Sequence, residues 1–302
     1  MRGFLLFLSR RGRPRKWIET SRAAQRLATR FVAGDSLADA LAVSRRLNAE
    51  GIAVTLDHLG ESVASLDEAA QCRDVYLRLL PAIREAGIRG NVSLKLTQMG
   101  LGFSLEQCQA NVEILADCAA RLNTFLRIDM ESSDYTQRTL DLACGLHARY
   151  GSVGVVIQAY LYRSQADLVS LCSKRIRVRL CKGAYREPPA VAFPRKRDVD
   201  RNFIELMKLL LDRGEYPAIA THDERMIAET RKYAAARGIG RDAFEFQMLY
   251  GIRRDLQRAL VAEGYRVRLY VPFGKAWYPY YVRRLAERPA NLFFILRHLF
   301  RQ

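Results

Sequence analysis

The chain has 302 residues, 49% hydrophobic and 27% charged, with 49 Lys and Arg against 32 Asp and Glu for a formal charge of +17. That apolar content is ample for a large core and speaks against disorder, and no apolar run reaches the roughly 18 residues that cross a bilayer. The basic excess suggests attraction to an anionic surface, and a lipid surface or solubility alone fits better than nucleic acid, because the arginines are scattered and no zinc-finger or RNP signature is present.

At the N-terminus, "MRGFLLFLSRRGRPRKW" carries an apolar patch, Phe4 to Leu8. This is shorter than the roughly 7–15 residues of a secretory h-region, and arginines follow it, so it reads as the basic arm of an intracellular, cytoplasmic protein. The stretches "SRAAQRLATRFV" and "SLADALAVSRRLNAE" are helix-like. Residues 1–50 are therefore expected to form a helical arm packed on the remainder of the chain.

From residue 51 onward a unit repeats in pattern. Eight short β-branched or apolar runs, each ending in polar residues, alternate with amphipathic segments. The runs are 52–58, 91–96, 125–130, 153–161, 175–181, 216–223, 244–249 and 267–273. Several intervening helices close near glycine, at Gly87, Gly214, Gly238 and Gly264, where a left-handed cap is easiest. Eight serial β-then-α units with no change of composition predict an α/β fold, one TIM-type (β/α)8 barrel over 51–302. A doubly wound open sheet is the rival, because strand order is not written in a sequence.

Barrel chemistry sits at the C-terminal mouth of the strands. The run ends supply Asp57 and His58, Lys95, Asp129, Gln158, Arg179 with Lys182, Thr221 with His222, Gln247 and Tyr270. Taken singly, Asp57 or Gln247 reads as a satisfied partner in a core. Together, polar groups at almost every strand end point to a site, since buried charge is unfavourable unless paired. In "RIRVRLCKGAYREPP", Arg179 and Lys182 are expected to turn their charges toward an anionic or electron-rich ligand. Gly183 and Ala184 would let the backbone come close to a flat group, and Tyr185 offers a stacking face. In "AWYPYYVRRLAERP", Arg283 and Arg284 are adjacent and Glu287 follows Arg283 by one turn, either a solvated helix face or a carboxylate clamp.

Other features carry less. "GLGFSL" lacks the third glycine of a dinucleotide loop. The sequon at Asn91 lies within an apolar run. The six cysteines form no C-x-x-C pair and read as buried free thiols, and four histidines without H-x-x-x-H spacing argue against a metal site.

With these segments assembled, the sequence resembles the proline dehydrogenase family, and most closely its short monofunctional bacterial form. The segments are "VTLDHLGE", "SLKLTQMGL", "RIDMESSDYT", "VVIQAYLYR", "RVRLCKGAYREP", "IATHDE", "FEFQMLYG" and "YVPFGKAWYPYYVRRLAERPAN". The resemblance implies a distorted barrel that binds FAD noncovalently and oxidises L-proline to 1-pyrroline-5-carboxylate, with a membrane quinone as final acceptor. It implies catalytic roles for Asp129 and Arg179. It implies cofactor contacts from Met130, Gln158, Arg179, Cys181, Lys182, Gly183, Ala184, Tyr185, Thr221 and His222. It implies that Lys95, Tyr185, Leu249, Tyr270 and Glu287 shape the substrate pocket, with Arg283 and Arg284 on the proline carboxylate. Arg186 departs from the aromatic that often follows this motif in longer bifunctional relatives. The chain has no room for an aldehyde dehydrogenase domain, so the next step, pyrroline-5-carboxylate dehydrogenation, falls to a separate protein. The basic arm suits peripheral attachment to an anionic membrane. Two rivals remain: a Schiff-base lyase or aldolase-type barrel working through Lys95, and a basic nucleic-acid-binding module.

Overall fold

Helix starts are written locally in this chain. Ser36, Ser65 and Ser104 each accept a hydrogen bond from the backbone N–H three residues on, which satisfies a donor the helix itself cannot pair. They open α1 (Leu37–Ala49), α2 (Leu66–Glu85) and α3 (Leu105–Arg121). The computed structural model describes residues 29–60, 63–278 and 280. After α1, strands and helices alternate: β1 (Ala53–His58), α2, β2 (Gly90–Leu94), α3, β3 (Leu126–Ile128), α4 (Ser133–Tyr150), β4 (Val153–Gln158) and α5 (Ser164–Ser173). They continue as β5 (Val178–Cys181), α6 (Lys196–Arg213), β6 (Ala218–Ala220), α7 (Glu224–Ala236), β7 (Glu245–Leu249), α8 (Arg254–Ala262) and β8 (Arg266–Phe273).

Each strand pairs in parallel with the next, and β8 closes on β1 with Thr55 opposite Tyr270. The sheet is a closed barrel, which removes the open doubly wound rival. All eight expected runs contain a strand, though some shrink. The run at 216–223 keeps only Ala218–Ala220, because Tyr216 takes a left-handed φ of 44° and Pro217 has no N–H to donate. The 175–181 run likewise starts late, after Arg175 at φ 55°.

Side chains alternate across each strand. Val54 and Leu56, Val92 and Leu94, Leu126 and Ile128, Val178 and Leu180 are wholly buried in the main apolar cluster, which also holds the inner faces of the helices. The other parity is mostly polar and fills the lumen, where barrels usually stack bulky aliphatic layers. A second cluster joins Phe31, Val32, Leu59, Ile252, Trp277, Tyr278 and Tyr280.

Two expectations need correction. Gly87, Gly238 and Gly264 are left-handed, but Gly214 is extended at φ −82°. Glycine is required there for space: a Cβ would lie 2.5 Å from both the carbonyl oxygen and a methyl of Leu210. Of the six cysteines, all free, only Cys108 and Cys172 are buried, whereas the other four are half-buried. Among the described residues, no helix is long and apolar enough to cross a membrane.

Candidate active site

The lumen-facing parity brings together residues from strands that are not neighbours. Asp129, just past β3, accepts from Ser93 Oγ of β2 at 2.5 Å and from Arg179 Nη1 of β5 at 2.8 Å on one carboxylate oxygen. Its other oxygen accepts from the Tyr270 hydroxyl of β8 at 2.8 Å. Lys95 places its ammonium 3.4 Å from Asp57 and 3.8 Å from Asp129, within 3.3 Å of the Tyr270 oxygen. The Arg179 guanidinium lies 5.4 Å from the centre of the Tyr270 ring, in cation–π range.

Burial, then the charges of Asp129 and Asp57, raise the Tyr270 pKa well above its ordinary value. Tyr270 therefore stays protonated and donates to Asp129. Tyr76 reaches in from α2 under the same influences: its hydroxyl donates to the Ser93 carbonyl at 2.8 Å and accepts the His58 N–H at 3.1 Å.

A second tier lies nearer the strand starts. Glu245 accepts from Arg268 Nε at 2.8 Å and from Gln247 Nε2 at 2.5 Å. Arg268 also donates to Asn91 Oδ1 and to the Val54 carbonyl, each at 2.9 Å. Arg127 donates to the carbonyls of Val155 and Arg177. Among the described residues, four cations (Lys95, Arg127, Arg179, Arg268) thus meet three carboxylates (Asp57, Asp129, Glu245) inside the barrel. That surplus favours an anionic or electron-rich ligand at the mouth.

Gln158 ends β4 beside this group. Its Nε2 donates to the Glu131 carbonyl at 2.8 Å, while its buried Oε1 has no hydrogen-bond partner. A buried acceptor left open is unfavourable unless a ligand supplies the donor. Met130, which follows Asp129 in the chain, is buried. His222 accepts the Leu249 N–H on Nε2 at 2.9 Å, which leaves the proton of the neutral ring on Nδ1. Thr221 accepts the Asp223 N–H at 3.1 Å.

The loop after β5 is pinned from three sides. Gly183 sits at φ 115°, and a Cβ there would lie 2.4–2.6 Å from the Tyr160 ring. Glu187 accepts from the Ser133 N–H at 2.8 Å and from its hydroxyl, so a carboxylate covers the positive N-terminal end of α4. Tyr160 adds a longer bond to Glu187 at 3.4 Å. Ala184 and Tyr185 stand exposed at the tip. Burial pushes the Cys181 thiol up to about 12, which keeps it protonated and unreactive.

Lys182 does not join the lumen. Its parity is opposite to that of Arg179, and its ammonium is held by Asp200 at 2.5 Å and Asp223 at 2.7 Å, toward α6 and α7. The expectation that its charge would face a ligand is replaced by that of a clamp between two helix starts. Arg283, Arg284 and Glu287 lie outside the described residues. Ser93, Tyr76, Glu187 and Glu245 were not singled out from the sequence. Glu245 had a signal, being two residues before Gln247 on the same face. A shallow groove of about 280 Å³ between α3 and α4, lined by Leu105, Gln109, Arg138 and Asp141, holds none of the candidate residues.

Residues 40–297 match the family model described as proline dehydrogenase. The chain is 40% identical to proline dehydrogenase 2 of Bacillus subtilis over 298 residues, covering 98% of this chain and 97% of that one. It is 44% identical to a proline dehydrogenase of Deinococcus radiodurans over 276 residues, covering 90% and 89%. Among solved structures, proline utilization A (PutA) from Bdellovibrio bacteriovorus, inactivated by N-propargylglycine, is similar at a TM-score of 0.82 and 28% identity. That match covers 87% of this chain and a third, 33%, of the other.

Proposed function

The chain belongs to the proline dehydrogenase family, and from that premise we propose that it oxidises L-proline to 1-pyrroline-5-carboxylate with noncovalently bound FAD, the electrons then passing to a membrane quinone. When bound, FAD supplies the electron sink that accepts a hydride from the ring carbon next to nitrogen. The observation that carries this reading beyond family membership is the unpartnered, buried Oε1 of Gln158 at the mouth. It matches the need for an acceptor opposite a ring N–H on the pyrimidine edge of a flavin. The lumen's extra positive charge fits the same group, because a reduced flavin is anionic.

The work of the chain is then positioning. Arg179 presents a guanidinium held on two sides, by Asp129 and Gln247. Its Nη2 group makes no bond to a described residue and is left to meet a ligand. Asp129 orients Arg179 and accepts the Tyr270 hydroxyl, so the three are tied together. Thr221, His222, Met130 and the backbone of Cys181, Gly183 and Ala184 would line the cofactor. Lys95, Tyr185, Leu249 and Tyr270 would shape the substrate pocket, with Arg283 and Arg284 on the proline carboxylate and Glu287 as their counter-charge. The +17 charge supports contact with an anionic membrane face, where a quinone resides. Neither the lyase reading of Lys95 nor the nucleic-acid reading is favoured by the family.

The test is an absorbance spectrum of the purified protein before and after anaerobic L-proline. A yellow protein with flavin bands that bleach on proline is expected. A colourless preparation that stays inactive with added FAD overturns the cofactor, and a yellow one that proline leaves unchanged overturns the substrate.

A further inference from the structure

The Arg179 guanidinium stands at the mouth, yet its orientation is set from below. Gln247 is an amide with two unlike ends, both engaged: Oε1 accepts Arg179 Nε at 2.5 Å, and Nε2 donates to Glu245 at 2.5 Å. Glu245 is 3% exposed, sits one lumen-facing position before Gln247 on β7, and is braced by Arg268 at 2.8 Å. Burial alone would raise its pKa, but the Arg268 guanidinium and the Gln247 amide more than offset that and hold it below the ordinary carboxylate range. An ionised carboxylate accepts only. It therefore admits one of the two amide orientations, the one that turns Oε1 up to Arg179. Turned over, the amide would set N–H against N–H and release Arg179.

We propose that Glu245 is a positioning residue for Arg179: by fixing the sense of the Gln247 amide it sets the direction of the guanidinium at the mouth, without touching ligand itself. Gln247 is the intermediate of this coupling. Arg268 is its base, supplying the counter-charge that keeps the carboxylate in place. The inference rests on the flavin reading of the site.

The test uses the full-length flavoprotein and two variants, Glu245→Gln and Gln247→Met. The second keeps the Glu245–Arg268 pair and approximates the shape of glutamine, so it preserves the fold if the first does not. The readouts are flavin content, the flavin midpoint potential from anaerobic reductive titration against an indicator dye, and kcat and KM for proline. Near-normal flavin content is expected, with kcat lowered at least tenfold. The bound flavin should favour its reduced form about tenfold less, a midpoint about 30 mV lower for a two-electron couple. Wild-type potential and kcat in a folded, flavin-loaded Gln247→Met variant would overturn the coupling, as would lowered thermal stability alone in both variants. A wild-type protein without flavin fails the underlying reading instead, and the two failures are thereby distinct.

Discussion

Tyr270 donates to Asp129 across the barrel lumen, 2.8 Å from hydroxyl to carboxylate, although β8 and β3 do not adjoin. The same carboxylate holds Arg179 from β5 and Ser93 from β2. One acidic side chain thus ties four strands at the mouth, and its removal should be felt in stability and turnover together.

Asp129→Ala leaves Arg179 and Lys95 without their shared counter-charge. Loss of one partner from a buried ion pair destabilises by about 3–5 kcal/mol. Denaturant unfolding should show a loss of that size. Proline turnover should fall by about 100-fold, the scale of an ångström-level displacement of a positioning group. A variant with wild-type midpoint and turnover would show that Asp129 is not the hub.

Tyr270→Phe removes the hydroxyl's bond to the Asp129 carboxylate and the longer bond it accepts from Lys95. Loss of the bond to the charged acceptor alone is expected to destabilise by about 1.5–3 kcal/mol. In the native protein Tyr270 and Tyr76 both have pKa values raised well above normal, chiefly by burial. The folded state therefore keeps protons that the unfolded chain releases near its ordinary value of about 10, and stability must fall as pH rises above that point. Unfolding midpoints from pH 8 to 11 should decline, and less steeply in Tyr270→Phe.

The Lys182 clamp is expected to open in acid. Burial works to raise the pKa of Asp200 and Asp223, but Lys182 together with Lys196, and for Asp223 the Arg225 N–H, outweighs it and leaves both below the ordinary carboxylate value. Folded values depressed in this way stabilise above the unfolded pKa of about 3.9, and the effect is lost as pH falls through the folded values. Hydrogen exchange over residues 183–195 should quicken below about pH 4, and Lys182→Met should show that faster exchange already at neutral pH.

Gly183→Ala meets two obstacles, a φ of 115° and the Tyr160 ring within 2.6 Å of the new methyl. Alanine at a positive φ alone destabilises by more than about 1 kcal/mol. The denaturant midpoint should drop accordingly, and the Glu187–Ser133 contact should loosen, seen as faster exchange at the start of α4.

Arg284→Met should raise KM for proline sharply with flavin content intact, if the adjacent arginines hold the carboxylate. An unchanged KM would remove that assignment.

The barrel was legible because its signal is local. Short apolar runs ending in polar residues locate the eight strands, and the serine caps at Ser36, Ser65 and Ser104, seen in the structure, are a local signal of helix starts that the sequence reading did not use. The mouth residues Asp129, Arg179, Lys95 and Tyr270 were legible from their positions at strand ends. The Lys182 ammonium, expected to face a ligand, is instead held by Asp200 and Asp223, partners from two later elements that only the fold brings to it. Gly214 was assigned a left-handed cap when its role is contact with Leu210.

Alternation within a strand states which side chains face inward, since it follows from backbone geometry that every residue obeys. Which inward side chain meets which is a matter of closure. Tyr270 reaches Asp129, and Gln247 stands between Glu245 and Arg179, only because strands far apart in the chain share one lumen. Those cross-barrel bonds, and the charge balance they create, are properties of the closed sheet.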